Sequence, residues 1–157
     1  MLNVENIHYD ELFKKIEGEQ VIIVKKKRER SVLYLKKLNL FLKLWVPNWT
    51  QGEITKHALE SGYYNEDNTG ALCSLVYDDS GQRGYLQYPG ESAVEQGASD
   101  KCWKKFIRKT SKKQRLDFIT NLFSNGIKSG GTFADFAPSN IIFYNNKISL
   151  IDLESYR

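Results

Sequence analysis

The stretch GTFADFAPSNIIFYNNKISLIDLE, residues 131–154, decides how this chain is read. An acid, Asp135, is followed five positions later by an amide, Asn140, and then by two apolar runs, Ile141–Tyr144 and Lys147–Ile151. The runs are joined by Asn145-Asn146, a pair that tolerates left-handed backbone angles and so suits a tight hairpin. A second acid, Asp152, stands just beyond the return strand. The hairpin brings the chain back so that Asn140 and Asp152 can face one metal, and the apolar pairs Ile141/Ile142 and Leu150/Ile151 bury it and fix that geometry. Phosphoryl transfer needs such parts: one carboxylate to orient a hydroxyl and accept its proton, and hard oxygen ligands to hold magnesium against phosphates. An acid and an amide five apart carry little information alone; the pattern with Pro138, the hairpin and Ile151-Asp152 carries much more. The competing reading is a surface loop with Asp135 as a cap, Asn140 in a turn and Asp152 at a strand end.

The same residues resemble the catalytic and metal-binding segment of the protein-kinase-like superfamily, in its aminoglycoside-phosphotransferase, choline-kinase and lipopolysaccharide-kinase branches. Members typically read H-G-D-x-x-x-x-N, a hairpin, then I-D-[FLW]-[EDG]. The resemblance implies ATP and Mg2+ as cofactors, Asp135 as the catalytic aspartate, and Asn140 and Asp152 as metal ligands. It also implies a lysine on the third strand paired with a glutamate on the following helix. Lys43, in LFLKLW, fits the lysine; its strand alternation puts it on the face of Phe41 and Trp45. Glu53 is preferred as its partner, with Glu60, seven residues on and on the same helix face, left open. ERSVLYLKKLNLFLKLW (29–45) resembles the second and third strands of lipopolysaccharide-kinase-like proteins. GYLQYPGES (84–92) resembles the fifth strand and hinge, which would set backbone groups of Leu86 and Tyr88 against adenine. Three departures stand out. Lys25–Arg30, KKKRER, occupies the place of a glycine-rich phosphate loop; Phe133 replaces the family histidine; and the sequence stops at Arg157, where the family continues into a helical substrate lobe. The acceptor site would then be open, or completed by a second copy or another partner.

Working outward, residues 4–17 read as an amphipathic helix, with Val4, Ile7, Leu12, Phe13 and Ile16 on one face and Gly18 ending it. Gln20–Lys26, Ser31–Leu38 and Leu40–Val46 read as an antiparallel meander. KKKRER between the first two is a solvated turn or an electropositive lip over phosphates. Thr50 caps a helix to about Glu60, closed by Gly62. Asn65–Gly70 is a polar turn, and Leu72–Tyr77 pairs with Tyr85–Tyr88 across DDSGQRG. Residues 91–100 read as a linker. Residues 101–127 read as one broken helix or two, with apolar stripes at Trp103, Phe106 and Ile107, and at Leu116, Ile119, Leu122, Phe123 and Ile127. Lys101, Lys104, Lys105, Arg108, Lys112 and Arg115 would share one broad basic face, joined by Lys109 and Lys113. That face is either solvated or a dock for an anionic substrate, nucleic acid or membrane surface.

Composition narrows the choices. In 157 residues, 41% hydrophobic and 27% charged residues are ordinary for a single folded domain and argue against disorder. A net charge of +4 fits an anionic ligand but is too small to argue for nucleic acid. Cys73 and Cys102 form no Cys-x-x-Cys, which points to a reducing, cytoplasmic compartment, or host cytoplasm for a viral product. His8 and His57 lack metal-ligand spacing, and no window approaches a membrane span. The expectation is an α+β, two-lobed kinase-like fold over residues 1–157. Residues 1–88 form an antiparallel sheet with one helix; 89–157 form a reduced helical lobe with the catalytic loop. The expected activity moves the γ-phosphoryl group of ATP to a hydroxyl of a protein or small molecule. The alternatives are a pseudokinase-like module that binds nucleotide or a partner without turnover, and a basic nucleic-acid-binding protein.

Overall fold

The computed structural model describes residues 2, 4–92 and 99–157. Nine strands and four helices run in the order β1 (Glu5–His8), α1 (Tyr9–Lys15), β2 (Val21–Lys26), β3 (Arg30–Leu35), β4 (Leu40–Trp45), α2 (Thr50–Glu60), β5 (Leu72–Asp78), β6 (Gly81–Gln87), β7 (Glu91–Ser92), α3 (Ser99–Lys109), α4 (Lys112–Ser129), β8 (Ile141–Tyr144) and β9 (Lys147–Leu150). They group into two compact units, Asn3–Lys56 with Leu72–Pro89, and His57–Ala71 with Gly90–Arg157. Both belong to the mixed α+β class expected.

The first unit is a six-stranded sheet ordered β1-β5-β6-β4-β3-β2. Its alternating, β-branched runs pair antiparallel as the sequence suggests, with Leu33 opposite Leu42 and Leu42 opposite Leu86. Leu35, Leu42, Val76 and Leu86 form the core on one face, closed by Leu12 and Ile16. Residues 4–17 are not one helix. Glu5–His8 is a strand parallel to β5, with Ile7 opposite Val76. His8 then caps α1, its Nδ1 accepting from Asp10 N at 3.2 Å, so the helix spans only seven residues. Ile7, Leu12 and Ile16 do reach the core, but from two elements, which is why one helical face seemed to explain them. The β5–β6 turn is also tighter than DDSGQRG: Asp78 pairs with Gly81, leaving Asp79-Ser80 as the turn.

At Gly84 the backbone of β6 passes so close to β4 that an added Cβ would lie 1.9 Å from the Lys43 carbonyl oxygen. Only glycine fits there, and it sets the approach of the two strands around Lys43.

In the second unit, α3 and α4 are separate helices, because Ser111 stops one and starts the other. Its side chain accepts from Gln114 N while Gln114 bonds back to Ser111 N, a capping box. Arg115 reaches back with Nη1 to the carbonyls of Ile107 and Thr110, at 2.9 and 2.6 Å, and closes the end of α3. The single basic face over 101–115 is therefore broken at 110–111. Arg115 is spent on a helix end, and Lys113 pairs with Asp117 one turn along. The second apolar stripe does not enter a core either. Phe123 is 72% and Ile127 84% exposed, and the residue that α4 buries is Phe118. In the expected linker, Glu91–Ser92 is β7, paired with β8, and α3 begins at Ser99; 93–98 lie outside the described residues.

Residues 57–71 group with the second unit. Tyr63, Tyr64, Asn68 and Ala71 are buried, and the segment bonds to the β8–β9 hairpin. Asn68 O accepts from Leu150 N at 2.7 Å, and Ala71 N donates to Ser149 Oγ at 3.1 Å.

Candidate active site

The segment carrying Asp135 starts where α4 ends at Gly130, whose φ of 75° is the left-handed cap glycine readily supplies. Residues 132–134 then run antiparallel to 155–157: Thr132 and Arg157 exchange backbone hydrogen bonds at 2.8 Å, and Ala134 N donates to Ser155 O at 2.8 Å. A side chain at Gly131 would strike the Tyr156 ring, with a Cβ 2.1 Å from its Oη. The loop carrying Asp135 is thus tied to the segment that follows Asp152.

Asp135 is exposed. Its backbone carbonyl accepts from Ala137 N at 2.9 Å and from Asn140 Nδ2 at 2.9 Å. Its carboxylate oxygen Oδ2 accepts from the same Nδ2 at 3.0 Å. Pro138 opens a short 3-10 turn, Pro138–Asn140, in which its missing N–H costs nothing, and Asn140 N closes the turn on Ala137 O at 2.9 Å. Asn140 is 8% exposed. Because its amide nitrogen is committed to Asp135, the oxygen Oδ1 is the end of the side chain left to meet a cation.

The hairpin forms as expected. Ile141 faces Leu150, Tyr144 faces Lys147, and Asn145 and Asn146 take φ of 49° and 59°. Ile151 N donates to Asn140 O at 2.9 Å, so Asp152 follows the residue directly across from Asn140. Asp152 itself is left-handed, with φ 64° and ψ 51°, an uncommon state for a residue with a Cβ and one that the surroundings must hold. Ser155 does so with two bonds, its N to Asp152 O at 2.9 Å and its Oγ to Asp152 Oδ2 at 3.1 Å.

Beneath this lies an aromatic group that the sequence reading missed. Tyr64 Oη donates to Leu153 O at 2.6 Å, the residue after Asp152. Tyr63 Oη accepts from Phe133 N at 2.7 Å, two residues before Asp135. Tyr156 packs on Tyr63, with centroids 4.9 Å apart. Burial pushes the Tyr64 phenol far above its ordinary value, and Tyr63, Glu154 and Asp152 add to that; burial also raises Tyr63. Both stay neutral and serve as hydrogen-bonding struts. The adjacent tyrosines before NEDNTG were the available signal, but a polar turn has no periodicity to show that it is buried.

The remaining candidates lie in the first unit. Lys43 is half-buried in β4 opposite Tyr85, its Nζ 5.9 Å from that ring's centroid, and Trp45 packs on the same ring at 6.0 Å. Glu53 is exposed on the first turn of α2. Leu86 is buried in an interior strand, in register with Leu42 and Ser74. Tyr88 is the first residue past β6, so backbone outside the ladder begins there. The α4 stripe borders another feature: an apolar groove of about 710 Å³ runs along Ile119, Phe123 and Ile127 to Phe133 and Phe136.

Among the described residues no group of three or more His, Cys, Asp or Glu could enclose a metal. Asn140 and Asp152 could offer two oxygen ligands, a set that would suit a cation which keeps water and phosphate oxygens as the rest.

No family model matches the sequence, and no curated protein matches it. Solved structures do. The complex of streptomycin, ATP and the aminoglycoside phosphotransferase APH(2")-IIa aligns with a TM-score of 0.54 at 13% identity, over 100% of this chain and 74% of that one. The gentamicin complex of APH(2")-IIa aligns over 95% and 69% at 12% identity, with a TM-score of 0.46. The likeness is one of fold: the protein has a kinase-like fold.

Proposed function

We propose that this protein is a phosphotransferase that moves the γ-phosphoryl group of ATP to a hydroxyl acceptor. The observation that carries the reading is the Asp135–Asn140 contact at the mouth of the hairpin that returns the chain to Asp152. The amide nitrogen of Asn140 holds the carboxylate, which leaves its own oxygen for a cation. Asn140 Oδ1 and the Asp152 carboxylate would hold Mg2+, whose charge, when bound, offsets that of the phosphates. Asp135 uses Oδ2 to accept from Asn140, which leaves Oδ1 to orient the acceptor hydroxyl and take its proton. Lys43, kept on its face by Tyr85 and Trp45, would contact the phosphates, and backbone groups at Tyr88 would meet the adenine. The fold likeness, to a protein solved with ATP, supports nucleotide as the ligand.

A second reading, binding without turnover, draws on the exposure of Glu53, the preferred partner of Lys43. Labelled ATP separates the two. Wild-type protein with Mg2+ should transfer γ-label to water or a generic protein acceptor, and Asp135→Asn should lose transfer while still binding ATP in calorimetry. Transfer that survives Asp135→Asn would refute the assignment of the base. ATP binding without transfer in the wild type would favour the second reading.

A further inference from the structure

Charge is unevenly spread along this chain. Residues 103–134 hold eight Lys or Arg and one acid, Asp117, a net +7 in a chain whose total is +4, so the other residues sum to −3. Asp117 is already paired with Lys113. Lys104, Arg108, Lys109, Lys112 and Lys128 are exposed. Crowding like charges on two successive helices repels, and it suits a partner of opposite sign.

The same segment exposes large apolar side chains. Leu116, Ile119, Phe123 and Ile127 recur at three- and four-residue spacing along α4, and all four are exposed, Leu116 at 61%. Lys112 stands one turn before Leu116 on that face and Lys128 follows Ile127, so a cation lies at each end of the stripe. Ile107, exposed on α3, lies beside the first turns of α4, since Arg115 Nη1 donates to its carbonyl at 2.9 Å. Sideways, the groove along the stripe carries the apolar surface on to Phe136, which is also exposed. Single exposed apolar residues are ordinary, whereas a contiguous apolar surface marks a place of contact.

We propose that this face, α4 with the end of α3, docks on a lipid surface rich in anionic headgroups, with α4 lying flat in the interface. Such a surface answers both features: the headgroups meet Lys112 and Lys128, and the stripe enters the acyl boundary, as the apolar face of an interfacial helix does. Nucleic acid would match the charge, but it is held by polar contacts and by stacking on aromatic rings, and the stripe has one ring, Phe123, among branched aliphatics. A second copy meeting this face with its own would match the stripe but set +7 against +7. The proposal rests on charge and exposure within the second unit and not on the phosphotransfer reading.

Co-sedimentation with vesicles of phosphatidylcholine carrying ~30% phosphatidylserine tests it. Wild-type protein should bind at ~1 mM lipid in ~0.1 M salt, and should bind phosphatidylcholine alone at least ~10-fold more weakly. Lys112→Gln with Lys128→Gln should weaken binding by ~10-fold or more, and so should Phe123→Ser with Ile127→Ser. Lys25→Gln with Lys26→Gln, in the other basic run, should leave it unchanged. Circular dichroism checks that each variant is folded; should the Phe123 and Ile127 variant not fold, the two exposed lysines decide. A wild type that does not bind anionic vesicles overturns the proposal and leaves the face to an acidic protein. Equal binding to neutral vesicles overturns it too. So does binding that the α4 substitutions leave intact while those at Lys25 and Lys26 abolish it.

Discussion

Asn140→Asp turns the donor at the centre of the candidate site into an acceptor with almost no change in size. The buried Nδ2 makes two contacts, 2.9 Å to Asp135 O and 3.0 Å to Asp135 Oδ2. Losing a bond to a neutral carbonyl costs ~0.5–1.5 kcal/mol and one to a charged acceptor ~1.5–3 kcal/mol. Two carboxylate oxygens at that separation add ~1.4 kcal/mol of repulsion at a solvent-like dielectric, the limit suited to an exposed Asp135. Water recovers part of the loss at an exposed carboxylate, so the low end of the sum applies, ~3 kcal/mol at pH 7. The repulsive share exists only while both acids are ionised, so ~1 kcal/mol should return as the pH falls below ~4. Urea unfolding at pH 7 and pH 4 measures both numbers. The exchange Asp135→Asn with Asn140→Asp puts a donor and an acceptor back in place with their positions swapped. It should recover ~2 kcal/mol of stability and no phosphotransfer. If the double variant is no more stable than Asn140→Asp alone, this contact does not fix the loop, and the argument built on it fails.

Tyr64→Phe removes the 2.6 Å bond to Leu153 O and should cost ~1–2 kcal/mol by urea unfolding, with weaker Mg2+-dependent ATP binding because Asp152 is the next residue back; an unchanged ATP affinity would separate the strut from the site. Burial tends to raise the Asp78 carboxyl, but hydrogen bonds from Ser80 and Arg83 outweigh it and hold it below the usual range. Its contribution is therefore complete above the ordinary carboxylate value of ~3.9 and fades as the pH falls through the lower folded one. Asp78→Asn should flatten the acid limb of the stability–pH curve, and an identical limb would contradict this. Phe123→Ser with Ile127→Ser should change stability by less than ~0.5 kcal/mol each and raise solubility, since neither side chain is packed; a large loss of stability would mean that they are buried in solution.

The parts legible in the sequence were those written in local chemistry. Asn145-Asn146 demanded a hairpin, Gly62 closed a helix, and strand alternation placed Lys43 beside Trp45. What was misread depends on partners distant in the chain. Glu5–His8 is a strand because β5 lies alongside it, and nothing within residues 4–17 records that. The α4 stripe has the periodicity of a buried helix yet faces solvent, because a pattern states that a face is apolar, not that something covers it.

Residues 63–71 show why a polar turn can govern a site it never touches. Asp152 must keep a left-handed backbone, which costs of order 1–3 kcal/mol for a residue with a Cβ. Ser155 offsets part of that through Oδ2 and the carbonyl, but both partners lie within one four-residue turn and could move together. Bonds from outside the turn help to pin it, among them Tyr64 to Leu153 O, Ser155 O to Ala134 N, and Asn68 O to Leu150 N on the strand leading in. Two of these three originate in the segment 63–71. Asn65, Asn68 and Thr69 of NEDNTG are therefore placed where a largely buried backbone must satisfy itself while bonding the hairpin. Asn68 does both, giving Nδ2 to Tyr63 O and Asn121 Oδ1 and its carbonyl to Leu150. Asn68→Ala should therefore release both Tyr63 and β9, and the effect should reach Asp152 before it reaches the six-stranded sheet. Hydrogen exchange would show this as early loss of protection at Leu150 and Ile151 with β3–β4 unchanged; simultaneous loss in both would contradict it.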